Sequence, residues 1–200
     1  MATIKSYEDR MNIVNFNVIK MLEARKFTNI KECEITDEYK NIFGKLLSSN
    51  DKEGDNVYIM FLYRNRLNIS AVRAIVNYLG INTENNISKK KCHGIVIHHE
   101  TPTSSGSHQL GTLGSTGCST IECFKESFFY NCIIEHDLVP LHVKVTKHEA
   151  DTLKKKFGQG KMMSLLSGFP ISRYYEFKPG DVIKIIRKSG ITVYREVKKS

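Results

Sequence analysis

The chain has 200 residues, of which 40% are apolar and 26% are charged. This composition is typical of a folded protein and excludes wholesale disorder. The longest apolar run, at 57–63, has seven residues, whereas a helix that crosses a membrane needs about 20. We therefore expect no transmembrane segment. Acidic Glu8 and Asp9, without an apolar stretch beside them, predict that the chain has no secretory signal.

The positive charge is concentrated in the last third of the chain. The net charge is +9, and residues 134–200 contribute 14 basic against 7 acidic side chains, which is +7. Such asymmetry indicates two parts and favours an anionic neighbour for the second. A solvated basic surface without a polyanion explains the same count equally well.

The five cysteines are an odd number and show no paired framework. In a chain without a signal they predict reduced thiols. Zinc is the alternative, since four residues separate Cys118 from Cys123 and Cys132 follows. No second arm of ligands is evident, although His93, His98 and His99 lie nearby, so we expect no metal site.

Residues 1–133 predict an α/β domain that opens with two helices. Apolar residues at steps of three and four indicate a long amphipathic helix that ends near Phe27. We expect a second helix from about Asp37. The apolar positions expected on the buried faces are Ile4, Tyr7, Met11, Val14, Val18 and Met21 in the first helix, and Tyr39, Ile42, Phe43 and Leu46 in the second.

A parallel crossover is predicted after these helices. A polar turn at 50–55 precedes an apolar strand at 57–63, and a second apolar strand is expected at 94–98. Between them, Ser70 is the predicted cap of a helix that stops at Gly80. A strand, a helix and a strand in this order predict a right-handed parallel connection.

Residues 101–120 break the pattern, because 14 of these twenty residues are Ser, Thr or Gly. We expect a mobile surface loop here. Glycines at 111, 114 and 117 invite comparison with phosphate-binding loops, but neither the dinucleotide-binding glycine pattern nor a Gly-Lys-Ser/Thr ending is present, so we expect a flexible linker. A further strand is predicted at 128–134.

Residues 134–200 predict a small α+β domain. Thr146 and Glu149 form a capping box that starts a helix ending at Gly158. A turn at 179–180 leads into a hairpin, in which Gly190 takes the left-handed position of the loop. The side chains expected to be buried by the helix are Ala150, Leu153 and Phe157.

Three separated motifs in this last third occur in the order typical of one family. They are EHDLVPLH at 135–142, VTKHE at 145–149 and KPGDVIKIIRKS at 178–189, which VYR follows at 193–195. These motifs resemble the carboxy-terminal domain of the fifth subunit shared by eukaryotic RNA polymerases I, II and III. The archaeal counterpart of this subunit consists essentially of that domain.

The first 133 residues resemble the jaw domain of the same eukaryotic subunit. The similarity rests on the long first helix, the strand and crossover helix, and the motifs GIVI at 94–97, TPTS at 101–104 and IECF at 121–124. The resemblance implies a nuclease-like but non-catalytic α/β jaw domain at 1–133, followed by a polymerase-assembly domain at 134–200.

This chain departs from the family at several positions. Family members carry Leu-Pro-Arg-Ile and Asp-Pro where this sequence has MMSL at 162–165 and FP at 169–170. The family has a helix after the position of Ser104, where this chain has the Ser/Thr/Gly stretch. The many Lys, Asn and Ile residues are typical of a copy from a large DNA virus.

The resemblance implies a non-catalytic subunit of DNA-directed RNA polymerase, without cofactor or metal. It implies docking on the largest subunit and contact with downstream double-stranded DNA, without base specificity and without a membrane partner. The expected location is the nucleus for a cellular source, and the virion or a cytoplasmic factory for a viral one. The DNA-proximal residues implied are Thr101, Pro102, Thr103 and Ser104, and the subunit-interface residues are Leu138, Val139, Pro140, His142, Ile185 and Arg187.

Two other functions remain as alternatives, a metal-dependent nuclease and a free-standing DNA-binding protein. Asp181, Glu196 and Lys198 supply acids and a Glu-x-Lys pattern, and an antiparallel hairpin places Asp181 opposite about Val197. No third acid completes a two-metal site, and Asp181 has an ordinary structural role in its turn. His136 and His142 are expected to form hydrogen bonds within their turn.

Overall fold

The computed structural model describes residues 6–62, 67–79, 92–115, 119–158 and 161–200. The chain divides into two compact units, Met1–Tyr130 and Asn131–Ser200. Each unit is a mixed α/β structure built on one sheet. Among the described residues, no helix has the length and apolar character needed to cross a membrane.

The first unit opens with helix α1, Tyr7–Ala24. The hydroxyl of Ser6 caps this helix by accepting a hydrogen bond from the backbone N–H of Asp9 at 3.0 Å. The first predicted helix is therefore confirmed, while Ile4 lies outside the described residues. The apolar side chains that α1 buries are Val14, Val18, Met21 and Leu22.

A five-stranded sheet forms the centre of the first unit. Its strands are β1 (Thr28–Glu32), β2 (Phe43–Asn50), β3 (Asn56–Leu62), β4 (Cys92–His98) and β5 (Ser119–Lys125). They lie in chain order across the sheet. The first three pair antiparallel, whereas β3, β4 and β5 pair parallel. Helix α2 (Ile69–Tyr78) lies between β3 and β4 in the chain, which confirms the predicted parallel connection.

The predicted helix from Asp37 is wrong, because turns at 37–42 lead directly into β2. Phe43 pairs with Leu62 and Leu46 pairs with Met60, and a bulge lies between Phe43 and Lys45. The bulge adds one residue to the strand, so that Phe43 and Leu46, which are three positions apart, lie on the same buried face. A spacing of three is also expected on one face of a helix, which explains the wrong prediction.

The cap of α2 also differs from the prediction. Asn68 precedes the helix, and its side-chain oxygen accepts a hydrogen bond from the N–H of Ala71 at 2.9 Å. Ser70 lies inside the first turn instead. Gly80, the predicted end, lies outside the described residues.

The loop expected at 101–120 is largely a helix, α3 (Ser104–Ser115). The Thr103 hydroxyl caps it, accepting from the N–H of Gly106 at 3.1 Å. The Thr103 hydroxyl and N–H both lie within hydrogen-bond distance of the Leu67 carbonyl oxygen, at 3.2 and 3.1 Å. Leu110 is buried in the core. Tertiary anchoring thus overrides the poor helix propensity of Ser and Gly.

The strand predicted at 128–134 is wrong as well. Two short 3-10 turns, Glu126–Phe129 and Ile133–Glu135, follow β5 instead. Phe128 and Phe129 both contact the Phe124 ring, with centroids 5.1 and 5.4 Å apart. Consecutive side chains in a strand point to opposite faces, so a tight turn is needed to bring both rings to one cluster.

The second unit contains a four-stranded sheet. Its strands are β6 (Leu141–Lys144), β7 (Ser164–Leu166), β8 (Val182–Ile186) and β9 (Thr192–Lys198), in the order β6-β8-β9-β7. The predicted hairpin is confirmed as β8 and β9. Gly180 and Gly190 have positive φ angles of 94° and 79°, which fits glycine in these turns.

Helices α4 (Lys147–Phe157) and α5 (Pro170–Tyr174) complete this unit. Thr146 caps α4, and its hydroxyl accepts from the N–H of Glu149 at 3.3 Å, as predicted. Ala150 is buried, but Phe157 is 47% exposed, so its predicted burial is wrong. Phe169 stands before α5 without a capping hydrogen bond from its side chain.

We predict that Gly106→Ala destabilises the protein. An added Cβ would lie 2.5 Å from the Leu67 carbonyl oxygen, and overpacking of this kind costs about 1–3 kcal/mol. Alanine gains about 1 kcal/mol in helix propensity, which is expected to offset only part of this cost. Thermal unfolding measures the change. The exposed neighbour provides the control, since Ser107→Ala should change stability by about 0.5 kcal/mol or less. Equal stability of both variants would refute the close approach.

Candidate functional site

A buried ionic network joins α1 to the sheet of the first unit. Arg25 directly follows α1, and its guanidinium contacts both carboxylate oxygens of Glu122 on β5, at 2.7 and 2.9 Å. His93 Nε2 on β4 lies 2.8 Å from the same carboxylate. The Arg25 side chain is 1% exposed, so the carboxylate partner is needed to compensate its buried charge.

The pKa of the Glu122 carboxyl reflects this environment. Burial raises it, but the hydrogen bond from His93 and the charge and hydrogen bonds of Arg25 outweigh burial and lower the pKa to about 2. The carboxylate is therefore ionised and bound on both oxygens, which indicates a structural role. Sequence patterns give no signal for this network, because Arg25 and Glu122 are 97 positions apart in the chain.

The residues expected near DNA lie directly after β4. Thr101 and Ser104 are exposed, while Pro102 and Thr103 are half-buried. The Thr103 hydroxyl already caps α3 and contacts Leu67. Thr101 and Ser104 are therefore the more exposed residues of this loop, a difference that the sequence motif does not reveal.

An open pocket of about 490 Å³ adjoins this loop. Its residues lie at the end of β5 or directly after β4 and β5, the two parallel strands whose carboxyl ends meet at one edge of the sheet. Beneath it lies buried Glu126, whose carboxylate is 2.6 Å from Arg10 Nε and 3.0 Å from His99 Nδ1. The residues that line the pocket are His99, Glu100, Thr101, Lys125, Ser127 and Tyr130. No sequence pattern indicates this pocket.

The predicted subunit-interface residues of the second unit differ in exposure. Leu138 is 85% exposed, and Arg187 is also exposed. Val139 packs partly against the core of the unit, and Pro140 is half-buried. Ile185 is buried in that same core, so its side chain does not reach the surface.

The two histidines of this region form the hydrogen bonds predicted within their turn. His136 Nδ1 accepts from the N–H of Leu138 at 3.2 Å. His142 Nδ1 lies 2.7 Å from the Pro140 carbonyl oxygen. Burial lowers the pKa of His142, the Pro140 carbonyl partly opposes that shift, and Arg195 adds to it. His142 therefore helps to shape the turn.

Sequence reasoning missed two exposed apolar residues on edge strand β6. Leu141 is 56% and Val143 is 42% exposed. They stand two residues apart and therefore on the same face of the strand. Leu138, in the turn before β6, is exposed as well, and we call these three side chains the β6 apolar row.

The acids of the nuclease alternative are engaged in structural contacts. Asp181 accepts from the N–H of Lys178 at 2.9 Å and pairs with Lys144 at 2.8 Å. Glu196 pairs with Lys154 at 3.0 Å, and that lysine also donates to the Gly180 carbonyl at 2.8 Å. As predicted, Asp181 lies beside Val197 in the hairpin, where its carbonyl accepts from the Val197 N–H at 2.8 Å.

The cysteines whose side chains the structure describes form no disulfide bond. These are Cys33, Cys123 and Cys132. Cys118 and the side chain of Cys92 lie outside the described residues. Cys132 Sγ lies 3.9 Å from the Tyr174 hydroxyl within the second unit, which is a structural contact.

Comparison with known proteins identifies the class of the second unit. Residues 131–197 match the family described as RNA polymerase Rpb5, C-terminal domain. The chain is 44% identical over 59 residues to the DNA-directed RNA polymerase subunit Rpo5 of Thermofilum pendens, covering 28% of this chain and 74% of that protein. The chain belongs to the Rpb5 family of RNA polymerase subunits.

The similarity to eukaryotic relatives extends into the first unit. The chain is 28% identical over 146 residues to subunit RPABC1 of DNA-directed RNA polymerases I, II, and III from Caenorhabditis briggsae, and equally so to that of Caenorhabditis elegans. The match covers 72% of this chain but only 65% of each relative, slightly less than two thirds of their length.

Two solved nucleases share a remote likeness. A repair endonuclease from Pyrococcus abyssi gives a TM-score of 0.36 at 16% identity, covering 63% of this chain and 50% of that one. EndoMS in its apo form gives a TM-score of 0.38 at 18% identity, and the match covers 62% of this chain and 48% of that one. These values are too low to assign a fold or an activity.

We predict that the Glu122 network makes stability depend on acid pH. Because folding lowers the pKa of Glu122, the contribution of the network to stability is complete above about pH 4.5 and is lost as pH falls towards 2. Glu122→Gln removes the negative charge that pairs with the buried Arg25 guanidinium, so it should cost about 3 kcal/mol or more at neutral pH. Unfolding free energies across this range should also depend less on pH in the variant. The control is Glu53→Gln, because Glu53 is exposed. If Glu122→Gln lowers the unfolding free energy no more than Glu53→Gln does, the stabilising role of the network is contradicted.

We predict that Asp181→Asn and Glu196→Gln reduce stability only modestly, by about 1 kcal/mol or less, because their lysine partners are partly solvated. Neither variant should change any plasmid cleavage measured with magnesium, since we expect none from the wild-type chain. Magnesium-dependent cleavage that disappears in either folded variant would revive the nuclease alternative.

Proposed function

We propose that this chain is a non-catalytic subunit of a DNA-directed RNA polymerase that acts in transcription. Its second unit docks on the largest subunit, and its first unit helps to hold downstream double-stranded DNA. The match of residues 131–197 to the Rpb5 C-terminal domain carries the proposal. The eukaryotic relatives are subunits of polymerases I, II, and III, which supports a nuclear location for a cellular source and leaves the viral location as a separate proposal.

The docking face of the second unit is the β6 apolar row. Among the strands that the structure describes, β6 pairs only with β8 and so forms one edge of the sheet. Exposed apolar residues on an open edge promote unwanted association in a free protein. A permanent partner that covers Leu138, Leu141 and Val143 removes that exposure. Two of these three residues, Leu138 and Leu141, also belong to the EHDLVPLH motif on which the family resemblance rests.

The charge around this edge indicates what the partner carries. Arg187 is exposed at the end of β8, and Lys184 pairs with Val143 across the strands. A partner segment with apolar and acidic residues would match the apolar row and these cations. Such a segment could add as a further strand along β6, using its main-chain groups for affinity.

The DNA contact of the first unit comes from the loop after β4. The exposed hydroxyls of Thr101 and Ser104 are small donors that phosphate oxygens can approach closely. Contacts of this kind position the duplex and carry no sequence information. The proposed holding of DNA is therefore independent of base sequence.

We predict that Leu141→Asp disrupts assembly. A charge in the apolar row must be desolvated when the partner binds, so recovery of the largest polymerase subunit with the tagged chain should fall about tenfold or more. The measurement is affinity purification from the native source, followed by quantification of the accompanying subunits.

The matched control is Leu166→Asp, on the opposite edge strand β7, where the leucine is 42% exposed. This variant should assemble like the wild type. If both variants lose the largest subunit to the same extent, or if neither variant loses it, β6 is not the docking edge. Recovery of the wild-type chain without polymerase subunits would contradict the proposed function itself.

A further inference from the structure

The second unit exposes another set of apolar side chains, at the edge of its sheet opposite to β6. In the order β6-β8-β9-β7, strand β7 is the last, and among the described strands it pairs only with β9. Met163 directly precedes β7 and is 61% exposed, Leu166 ends the strand at 42%, and Phe169 follows it at 53%. We call these three side chains the β7 patch.

A tight turn brings two members of the β7 patch together. The Leu166 carbonyl oxygen accepts a hydrogen bond from the Phe169 N–H at 3.1 Å, and a turn of this kind keeps its end residues within about 7 Å. Ser200 holds the turn in place, because its hydroxyl accepts from the Gly168 N–H at 2.5 Å and its N–H donates to the Ser167 hydroxyl at 3.2 Å. The patch is therefore ordered before any partner binds, which lowers the entropy cost of binding.

The main chain of β7 adds hydrogen-bond donors on its open side. Strand β9 donates to the Met163 carbonyl oxygen and accepts from the Ser167 N–H, at 2.9 and 2.8 Å. Successive N–H groups along a strand point to alternate sides, so the N–H groups of Ser164 and Leu166 face away from β9. An extended partner segment can accept these two hydrogen bonds with its carbonyl oxygens.

Lysine side chains surround the β7 patch. Lys198 on β9 lies opposite Leu166, Lys199 follows it, and Lys161 stands two residues before Met163. All three lysines are exposed, and none of them forms an ion pair with another residue that the structure describes. Carboxylates on a partner would complement these charges.

These features together favour a protein segment over a nucleic acid. Lysines and main-chain donors would also suit a phosphate backbone, but a phosphate backbone cannot cover three apolar side chains. Apolar side chains on the partner can, and their burial adds to the affinity. A patch of three side chains is also far smaller than a permanent interface, which indicates a short segment and a transient contact.

We infer that the β7 patch binds an extended segment with apolar and acidic side chains from a protein other than the largest polymerase subunit. The edges β6 and β7 open in opposite directions and are three strand spacings apart, about 14 Å. A partner on β6 therefore leaves β7 accessible. The inference rests on the proposed function only in that the largest subunit is assigned to β6. The second unit would then connect the polymerase to a second protein.

The test measures the binding of a defined peptide to the full chain by fluorescence anisotropy. The peptide is labelled with fluorescein, has about nine residues, enough for an extended strand, and alternates leucine with aspartate. Every chain in the test carries Leu141→Asp, because a negative charge on β6 keeps the acidic peptide away from that edge.

Two pairs of substitutions are compared in this background. Phe169→Ser removes the ring from the β7 patch, and serine is favoured at the capping position that Phe169 occupies, so this variant is expected to fold. Its control is Ile191→Ser, because Ile191 is 57% exposed and lies more than about 15 Å along β9 from the residues that pair with β7. Lys198→Gln is compared with Lys147→Gln, an exposed lysine at the start of α4.

Phe169→Ser should weaken peptide binding about tenfold, because the contact of the ring with leucine is lost. Lys198→Gln should weaken it about threefold, as expected for one exposed ion pair. Each control should change the affinity by about 1.5-fold or less.

NMR spectra of the ¹⁵N-labelled chain locate the bound peptide. The peptide should shift the amide signals of Ser164 and Leu166, whose N–H groups face the open side of β7. A peptide with serine in place of leucine, and one with lysine in place of aspartate, should each bind at least about tenfold more weakly.

The other outcomes overturn the inference in distinguishable ways. If the serine-containing peptide or a short oligothymidylate binds as tightly as the leucine peptide, the edge is a cationic surface without selectivity for an apolar protein segment. If binding is absent, or if Phe169→Ser does not weaken it, the β7 patch is not the site, while the proposed function stands. If Leu166→Asp lowers the recovery of the largest subunit with the tagged chain, β7 belongs to the docking of that subunit, and the assignment of a second protein fails.

Discussion

The position of β4 between two parallel neighbours is the constraint on which the first unit depends. β4 pairs with β3 on one side and β5 on the other, and Ile95, Val96 and Ile97 are all buried. Parallel pairing forces the chain segments after β4 and β5 to emerge at one edge. The loop at 101–104, the start of α3 and the pocket are therefore neighbours. A single shift in register would separate the groups that we propose to contact DNA.

The parts of the fold that sequence reasoning predicted are those in which local pattern and tertiary environment agree. Helix α1, the apolar strands β3 and β4 and the β8–β9 hairpin follow from periodicity and turn residues. Prediction failed where long-range contacts decide the structure. The bulge in β2 gave Phe43 and Leu46 a helical spacing, and Leu67 anchors the Ser/Gly-rich helix α3 through Thr103. Neither contact can be read from neighbouring residues.

The candidate sites show the same division. Motif order was sufficient to indicate the polymerase family, and the turn roles of Asp181, His136 and His142 followed from local chemistry. The exposure of Leu141 and Val143 needed the strand order, which puts β6 at an edge. The pairs between Arg25 and Glu122 and between Arg10 and Glu126 join residues about a hundred positions apart, so only the folded chain reveals them. The start of α5 does not follow the usual capping pattern, because the apolar ring of Phe169 occupies the capping position, where a polar side chain is preferred.

The central proposal of a polymerase subunit whose first unit faces downstream DNA can be tested directly. The most direct measurement is crosslinking from a photoreactive amino acid at position 101 in polymerase assembled around a DNA template. This position is exposed and, unlike Thr103, is not the cap of α3. We predict crosslinks to DNA downstream of the active centre, at equal efficiency on templates of different sequence. Crosslinks to protein alone, in a fully assembled enzyme, would contradict it.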